Sequence, residues 1–107
     1  MTHPRQRSAE DVLKDVLELT GATMAGLRHH EMGPRANPAR RFAVWALNRS
    51  SVLSQREVGK MLNVSYAQVT RLLTRLRQAR PAEPLAGWMS DWLADEAGKA
   101  QVSSAGV

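Results

Sequence analysis

Cysteine is absent, which excludes a disulfide framework, a thiolate metal site and a cysteine nucleophile. That suits a reducing compartment, and a cytoplasmic location is expected. No apolar run approaches the roughly 20 residues of a membrane-spanning helix. The first residues, M-T-H-P-R-Q-R-S, lack the apolar core of a signal peptide. Aromatics make up 5% of the 107 residues and there are seven glycines. Ala, Val, Leu and Met stand in their place, so the expected fold class is all-α, a small helical bundle with one modest core. A glycine-rich phosphate loop and a carboxylate pair on a pocket are both missing, and the three histidines are scattered. An enzyme is therefore not expected, nor a cofactor.

Acid is scarce where it matters most. Between residues 28 and 80 ten Arg and one Lys face only Glu31 and Glu57, a net charge of +9. The remainder carries four cations against eight acids, a net −4. This segregation points to a polyanionic partner rather than to general solubility. The dominance of Arg over Lys suits bidentate contacts to phosphate and guanine.

The basic segment contains the stretch 54–76, S-Q-R-E-V-G-K-M-L-N-V-S-Y-A-Q-V-T-R-L-L-T-R-L. Ser54 with Glu57, and Ser65 with Gln68, are two capping boxes and so two helix starts. Asn63 tolerates a left-handed backbone and can stop the first helix after roughly two turns. Val58, Met61 and Leu62 share one face of that helix. Val69, Leu72, Leu73 and Leu76 share a face of the second, which runs to about Ala79. Val64 can plug the turn, and Gly59 lies where the second helix should cross. The spacing predicts a helix-turn-helix. The outward face of its second helix is Tyr66, Ala67, Thr70, Arg71, Thr74 and Arg75, with hydroxyls and guanidinium groups and no acid.

Taken in order, residues 1–7 read as a flexible tail. Ser8 and Asp11 start a helix whose apolar face is Val12, Leu13, Val16, Leu17 and Leu19, ended by Thr20-Gly21. Thr23 caps a short helix through Leu27. A basic loop follows, R-H-H-E-M-G-P-R-A-N-P. His29, His30 and Glu31 are adjacent on it without a third ligand at useful spacing, so a metal site is not expected. Asn37-Pro38 starts the next helix, with Ala39, Phe42, Ala43, Ala46 and Leu47 on its buried side, to about Arg49. Arg40 and Arg41 in its first turn oppose the helix dipole, a local conflict that suggests phosphate contact. Ser50 and Ser51 then form a turn. The stiff link R-P-A-E-P leads into an amphipathic helix, link and helix together spanning 81–97, which carries Leu85, Trp88, Met89, Trp92 and Leu93 on one stripe. The stripe either packs on its own domain, the favoured reading, or serves as a homodimer or protein-docking surface. The tail 98–107 is expected to be disordered. The helix-turn-helix domain thus spans 8–80.

The order of elements over 12–78, with T-G-A-T, N-P-A-R-R-F-A-V-W-A-L and the stretch above, resembles the C-terminal DNA-binding region of transposases associated with repetitive extragenic palindromes. More distantly it is similar to the duplex-reading domain of the bacterial chromosomal replication initiator. The resemblance implies an all-helical domain with its recognition helix in a major groove. It marks Arg40, Arg41, Ser65, Tyr66, Thr70 and Arg71 as candidate contacts. The initiator's R-D-H-T-T-type sequence is replaced here by V-S-Y-A-Q-V-T, and the transposase catalytic domain is missing. Neither initiator-box specificity nor DNA cleavage carries over. The expected function is sequence-selective binding of double-stranded DNA by a small, nucleoid-associated regulator or freestanding module. The expected DNA-binding residues are Arg40, Arg41, Ser65, Tyr66, Ala67, Thr70, Arg71, Thr74 and Arg75. The alternative is a protein-interaction adaptor working through Trp88 and Trp92.

Overall fold

Asn37 and Pro38 begin the helix that every other helix touches. The computed structural model describes residues 7–29 and 37–105, with side chains as far as Gly98. Its elements are α1 (Ala9–Thr20), α2 (Met24–Arg28), α3 (Pro38–Ser50), α4 (Gln55–Leu62), α5 (Tyr66–Gln78) and α6 (Leu85–Ala105). The fold is all-α, with no strand among the described residues. α3 packs against α1, α2, α4, α5 and α6. Phe42, Ala43, Val44, Ala46 and Leu47 are all buried on it. Three of these are small or β-branched, so neighbouring helices come close on several sides, while Phe42 fills the space between them.

Local signals set the helix ends. The Ser8 hydroxyl accepts from the Asp11 N–H, and Gly21 closes α1 in a left-handed conformation at φ 73°. Thr23 caps α2 through the Gly26 N–H. Asn37 caps α3 by accepting from the Arg40 N–H, itself at a positive φ of 43°. α3 extends one residue past the expected end. Of the two residues expected to form the turn, Ser50 ends α3 and Ser51 caps it, and both are buried. The Ser51 hydroxyl donates to the Leu47 carbonyl at 2.6 Å and accepts from the Leu53 N–H at 3.2 Å, which supplies partners for the buried corner.

α6 covers α3 and closes the core. The Phe42 ring lies 5.8, 5.8 and 5.7 Å from the rings of Trp45, Trp88 and Trp92. Full burial of a side chain of this size contributes roughly 1.5–3 kcal/mol. Trp92 is also polar-anchored, its indole N–H shared at 3.0 Å between the Ser50 hydroxyl and Glu96. The second Glu96 oxygen accepts from Arg49 Nε at 3.0 Å. Of the stripe weighed as a docking surface, Leu85 and Trp92 are buried and Trp88 and Met89 half-buried in the chain's own core. Leu93 alone of these five is exposed. The stripe packs on its own domain.

Two expected boundaries move. Arg7, placed in the flexible tail, is tied down. Its backbone pairs with Ser51, its guanidinium bonds Asp15 at 2.5 Å, and it lies 5.6 Å from the Trp92 ring centroid. The partners come from three separate elements, so the local sequence gave no hint of them. At the other end α6 continues past Gly98 to Ala105. One glycine costs a helix only about 1 kcal/mol relative to alanine, and no proline follows to stop it. The rest of the expected tails, residues 1–6 and 106–107, lies outside the described residues. So do 30–36, with His30, Glu31 and most of the basic loop. No helix among the described residues is long and apolar enough to cross a membrane.

Candidate nucleic-acid interface

Two capped helices and a short turn build the candidate face. In α4 the Ser54 hydroxyl accepts from the Glu57 N–H at 3.2 Å, and the Glu57 carboxylate accepts from the Ser54 N–H at 3.1 Å. Those bonds hold the Glu57 carboxyl below the usual carboxylate range. In α5 Ser65 and Gln68 repeat the arrangement at 3.2 and 3.1 Å. Between them Asn63 sits at φ 58°, ψ 45° and ends α4. Val58, Leu62, Val69 and Leu73 are buried together, with Met61, Leu72 and Leu76 partly buried around them. Gly59 lies at the junction, where a Cβ would meet Val69 of α5 at 3.5 Å and the turn more closely still. A Cβ there would lie 2.5 Å from the Val64 carbonyl oxygen. The Val64 N–H in turn donates to the Gly59 carbonyl at 2.8 Å.

Helical spacing then sorts the α5 side chains. Tyr66, Ala67, Thr70, Arg71, Thr74 and Arg75 are all exposed. Ala67, Arg71 and Thr74 lie opposite the buried Val69 and Leu73 and form the central ridge. Tyr66 and Thr70 lean toward α4. There the Thr70 hydroxyl donates to Gln55 at 3.0 Å, and the Arg56 guanidinium lies 4.6 Å from the Tyr66 ring centroid. Gln55 and Arg56 therefore belong to this face, although the sequence reading omitted them. Their position just after the Ser54 cap was the available signal, since the start of the first helix lies beside the start of the second. Ser65, a candidate contact, has its hydroxyl engaged with Gln68 on both sides, accepting at 3.2 Å and donating at 3.1 Å.

On its other flank α5 borders a half-enclosed groove of about 520 Å³ between α3, α5 and the link to α6. Arg41, Arg71, Arg75 and Arg80 line it. The Arg41 guanidinium is held below its ordinary value, first by burial and then by the charge of Arg75. Arg41 and Arg75 thus share a neighbourhood although 34 residues separate them in sequence.

Arg40 lines the same groove, but its guanidinium is engaged with the protein's own backbone. Arg40 is only 8% exposed. One terminal nitrogen donates to the His29 carbonyl at 3.1 Å and the other to the Asn63 carbonyl. These are the C-terminal cap residues of α2 and α4. A cation suits the orphan carbonyls at a helix C-terminus. The dipole conflict at the start of α3 is therefore answered by two other helices that Arg40 caps at once. Asn37 reinforces this junction, its amide donating to the carbonyls of Gly26 and His29 at 2.8 and 2.9 Å.

The chain matches no family model, no curated protein and no solved structure. The resemblance over 12–78 therefore stands on its residues alone. Among the described residues no group of three or more His, Cys, Asp or Glu is placed to hold a metal ion.

Proposed function

We propose that the chain is a sequence-selective binder of double-stranded DNA that uses α4 and α5 as a helix-turn-helix, with α5 as the recognition helix. The observation that carries this reading is the acid-free exposed face of α5 beside an arginine-lined groove. Seven of the chain's ten acids lie instead on α1 (Glu10, Asp11, Asp15, Glu18) and on α6 (Asp91, Asp95, Glu96). A 13-residue helix is about 20 Å long and, with side chains, about 10–12 Å wide, a fit for a major groove about 12 Å across. On this reading the ridge of Ala67, Arg71 and Thr74, with Tyr66 and Thr70 beside it, faces base edges. Ala67 would offer apolar contact to a thymine methyl, and Arg71 a bidentate pair to guanine. Gln55 and Arg56 extend the contact from α4, while Arg41 and Arg75 meet the backbone.

The resemblance to the DNA-binding region of the palindrome-associated transposases supports the same reading. It also suggests a small nucleoid-associated regulator or freestanding module of bacterial type. No catalytic step is proposed. Selection of bound duplexes from a random pool tests the proposal. It should converge on a short consensus that Arg71→Ala relaxes at one position. A pool that stays random after selection would reduce the reading to non-specific polyanion binding.

A further inference from the structure

A threonine on a helix can turn its hydroxyl back to the carbonyl four residues earlier. Thr74 does so, donating to the Thr70 carbonyl at 2.9 Å. The Thr70 hydroxyl instead crosses to α4 and donates to the Gln55 amide oxygen at 3.0 Å. One turn earlier on the same edge of α5, the Tyr66 ring holds the Arg56 guanidinium 4.6 Å from its centroid. Two neighbouring residues at the start of α4 are thus fastened along one edge of the exposed α5 face. Thr70 is exposed and Gln55 half-buried, so the pair is anchored yet open to a partner.

The bond to Thr70 leaves the Gln55 amide one lone pair on its oxygen and both N–H donors. Among the described residues no acceptor takes those donors. An unanchored carboxamide turns over and offers donor and acceptor in either order. Gln55, held by its oxygen, offers them in one. In the major groove adenine shows the matching pair, an acceptor at N7 beside a donor at N6, whereas guanine shows two acceptors and cytosine a donor. We propose that Gln55 is a specificity-determining residue that takes one adenine of the bound duplex through its amide, and that Thr70 is the positioning residue that orients it. The inference rests on the duplex binding proposed above and names the base at one position of the target. Ordering a glutamine side chain at an interface costs conformational entropy. The cross-helix bond orders it before the DNA arrives, and the β-branch of Thr70 stiffens the post that holds it.

The test uses the full chain with Gln55→Ala, Gln55→Glu, Thr70→Val and the double variant of Gln55→Ala with Thr70→Val. Each is put through selection from a random duplex pool, then titrated with the wild-type consensus and its single-base changes. Wild type should prefer adenine at one position by about 5- to 150-fold. Gln55→Ala should lose that preference. Gln55→Glu keeps the acceptors and loses the donors, so it should move the preference to cytosine. It also places an acid in the first turn of α4, where the helix dipole favours one, so it remains informative if Gln55→Ala loosens the fold. Thr70→Val keeps the branched shape without the hydroxyl. It should reduce the adenine preference at the same position by about 2- to 10-fold and shift the Gln55 amide resonances in NMR spectra of the free chain. The double variant should lose no more than Gln55→Ala does. A Gln55→Ala chain that keeps the wild-type base profile, or weakens all duplexes alike, overturns the base contact and leaves the duplex reading intact. Thr70→Val relaxing a different position, or leaving the Gln55 resonances in place, overturns the positioning role. A wild-type chain that binds no duplex, or enriches no consensus, overturns sequence-selective binding and this inference with it.

Discussion

Gly59→Ala should destabilise the domain, although glycine to alanine inside a helix ordinarily does the opposite. The helix gains about 1 kcal/mol from the better former. Against this, the new Cβ would lie 2.5 Å from the Val64 carbonyl oxygen and must reach at least 3.4 Å for ordinary contact, an opening of about 0.9 Å. The oxygen belongs to backbone that cannot swing aside as a side chain would. The Val64 N–H is bonded to the Gly59 carbonyl at 2.8 Å, and Asn63 is held left-handed one residue before it. Overpacking of this kind costs about 1–3 kcal/mol, and weakening the junction hydrogen bond adds about 0.5–1.5 kcal/mol. The net loss is roughly 1–3 kcal/mol, since the contact terms exceed the propensity gain. At about 4–8 °C per kcal/mol for a domain of this size, thermal melting by circular dichroism should show a clear drop. Gly98→Ala is the internal control. Among the described residues nothing lies within 4 Å of a Cβ there, so the same exchange should hold or raise the melting temperature. A Gly59→Ala protein that melts at or above wild type would refute the close approach of the turn.

Arg40→Met should lower stability by about 2–4 kcal/mol, because the Asn63 carbonyl loses the Arg40 donor and the His29 carbonyl keeps only Asn37. It should leave the salt slope of duplex binding at the wild-type value. A flattened slope with normal melting would return Arg40 to the interface. Trp92→Phe keeps a ring against Phe42 and loses only the indole donor, so it should cost about 1 kcal/mol, against about 3–5 kcal/mol for Trp92→Ala. Equal losses in chemical denaturation would mean that the hydrogen bonds to Ser50 and Glu96, not the packing, hold α6. The Glu57 carboxyl is depressed below its ordinary 4.5 by the Ser54 bonds. Its contribution to stability is present above that pH and is lost as the pH falls through the lower folded value. Ser54→Ala keeps the backbone N–H bond and removes the hydroxyl, so it should bring the Glu57 titration, followed by NMR, only part of the way back toward 4.5; a full return would show that the backbone bond does not hold the carboxylate.

What could be read from the sequence was local. Ser8 with Asp11, Asn37-Pro38, Ser54 with Glu57, and Ser65 with Gln68 are signals four residues long or shorter, and each marks a helix start in the structure. Asn63 marks a stop for the same reason, since its left-handed backbone is a property of the residue itself. What could not be read depended on distant partners without a sequence signature. Arg40 bonds carbonyls 11 and 23 residues away, and any residue supplies a carbonyl. Ser50 looked like a turn residue because its partners, Trp92 and Glu96, lie 42 and 46 residues on. Gly59 meets Val69 of α5 at the expected junction, but the closer Val64 carbonyl was not legible, because helical spacing locates a small residue and not the carbonyl that passes over it. Arg41 and Arg75 were both singled out, yet their convergence on one groove depends on how α3 and α5 cross. The sequence reading centred on α4 and α5, whereas α3 touches every other helix.

The most direct test of the duplex-binding claim is the salt dependence of binding between the wild-type chain and random double-stranded DNA. Each neutralised phosphate contributes about −0.9 to the slope of log K against log salt. Contacts from the groove and from both flanks of α5 should make that slope steeper than about −2, with the selected sequence binding more tightly at every salt concentration. A slope near zero, or no binding at low salt, would contradict the claim.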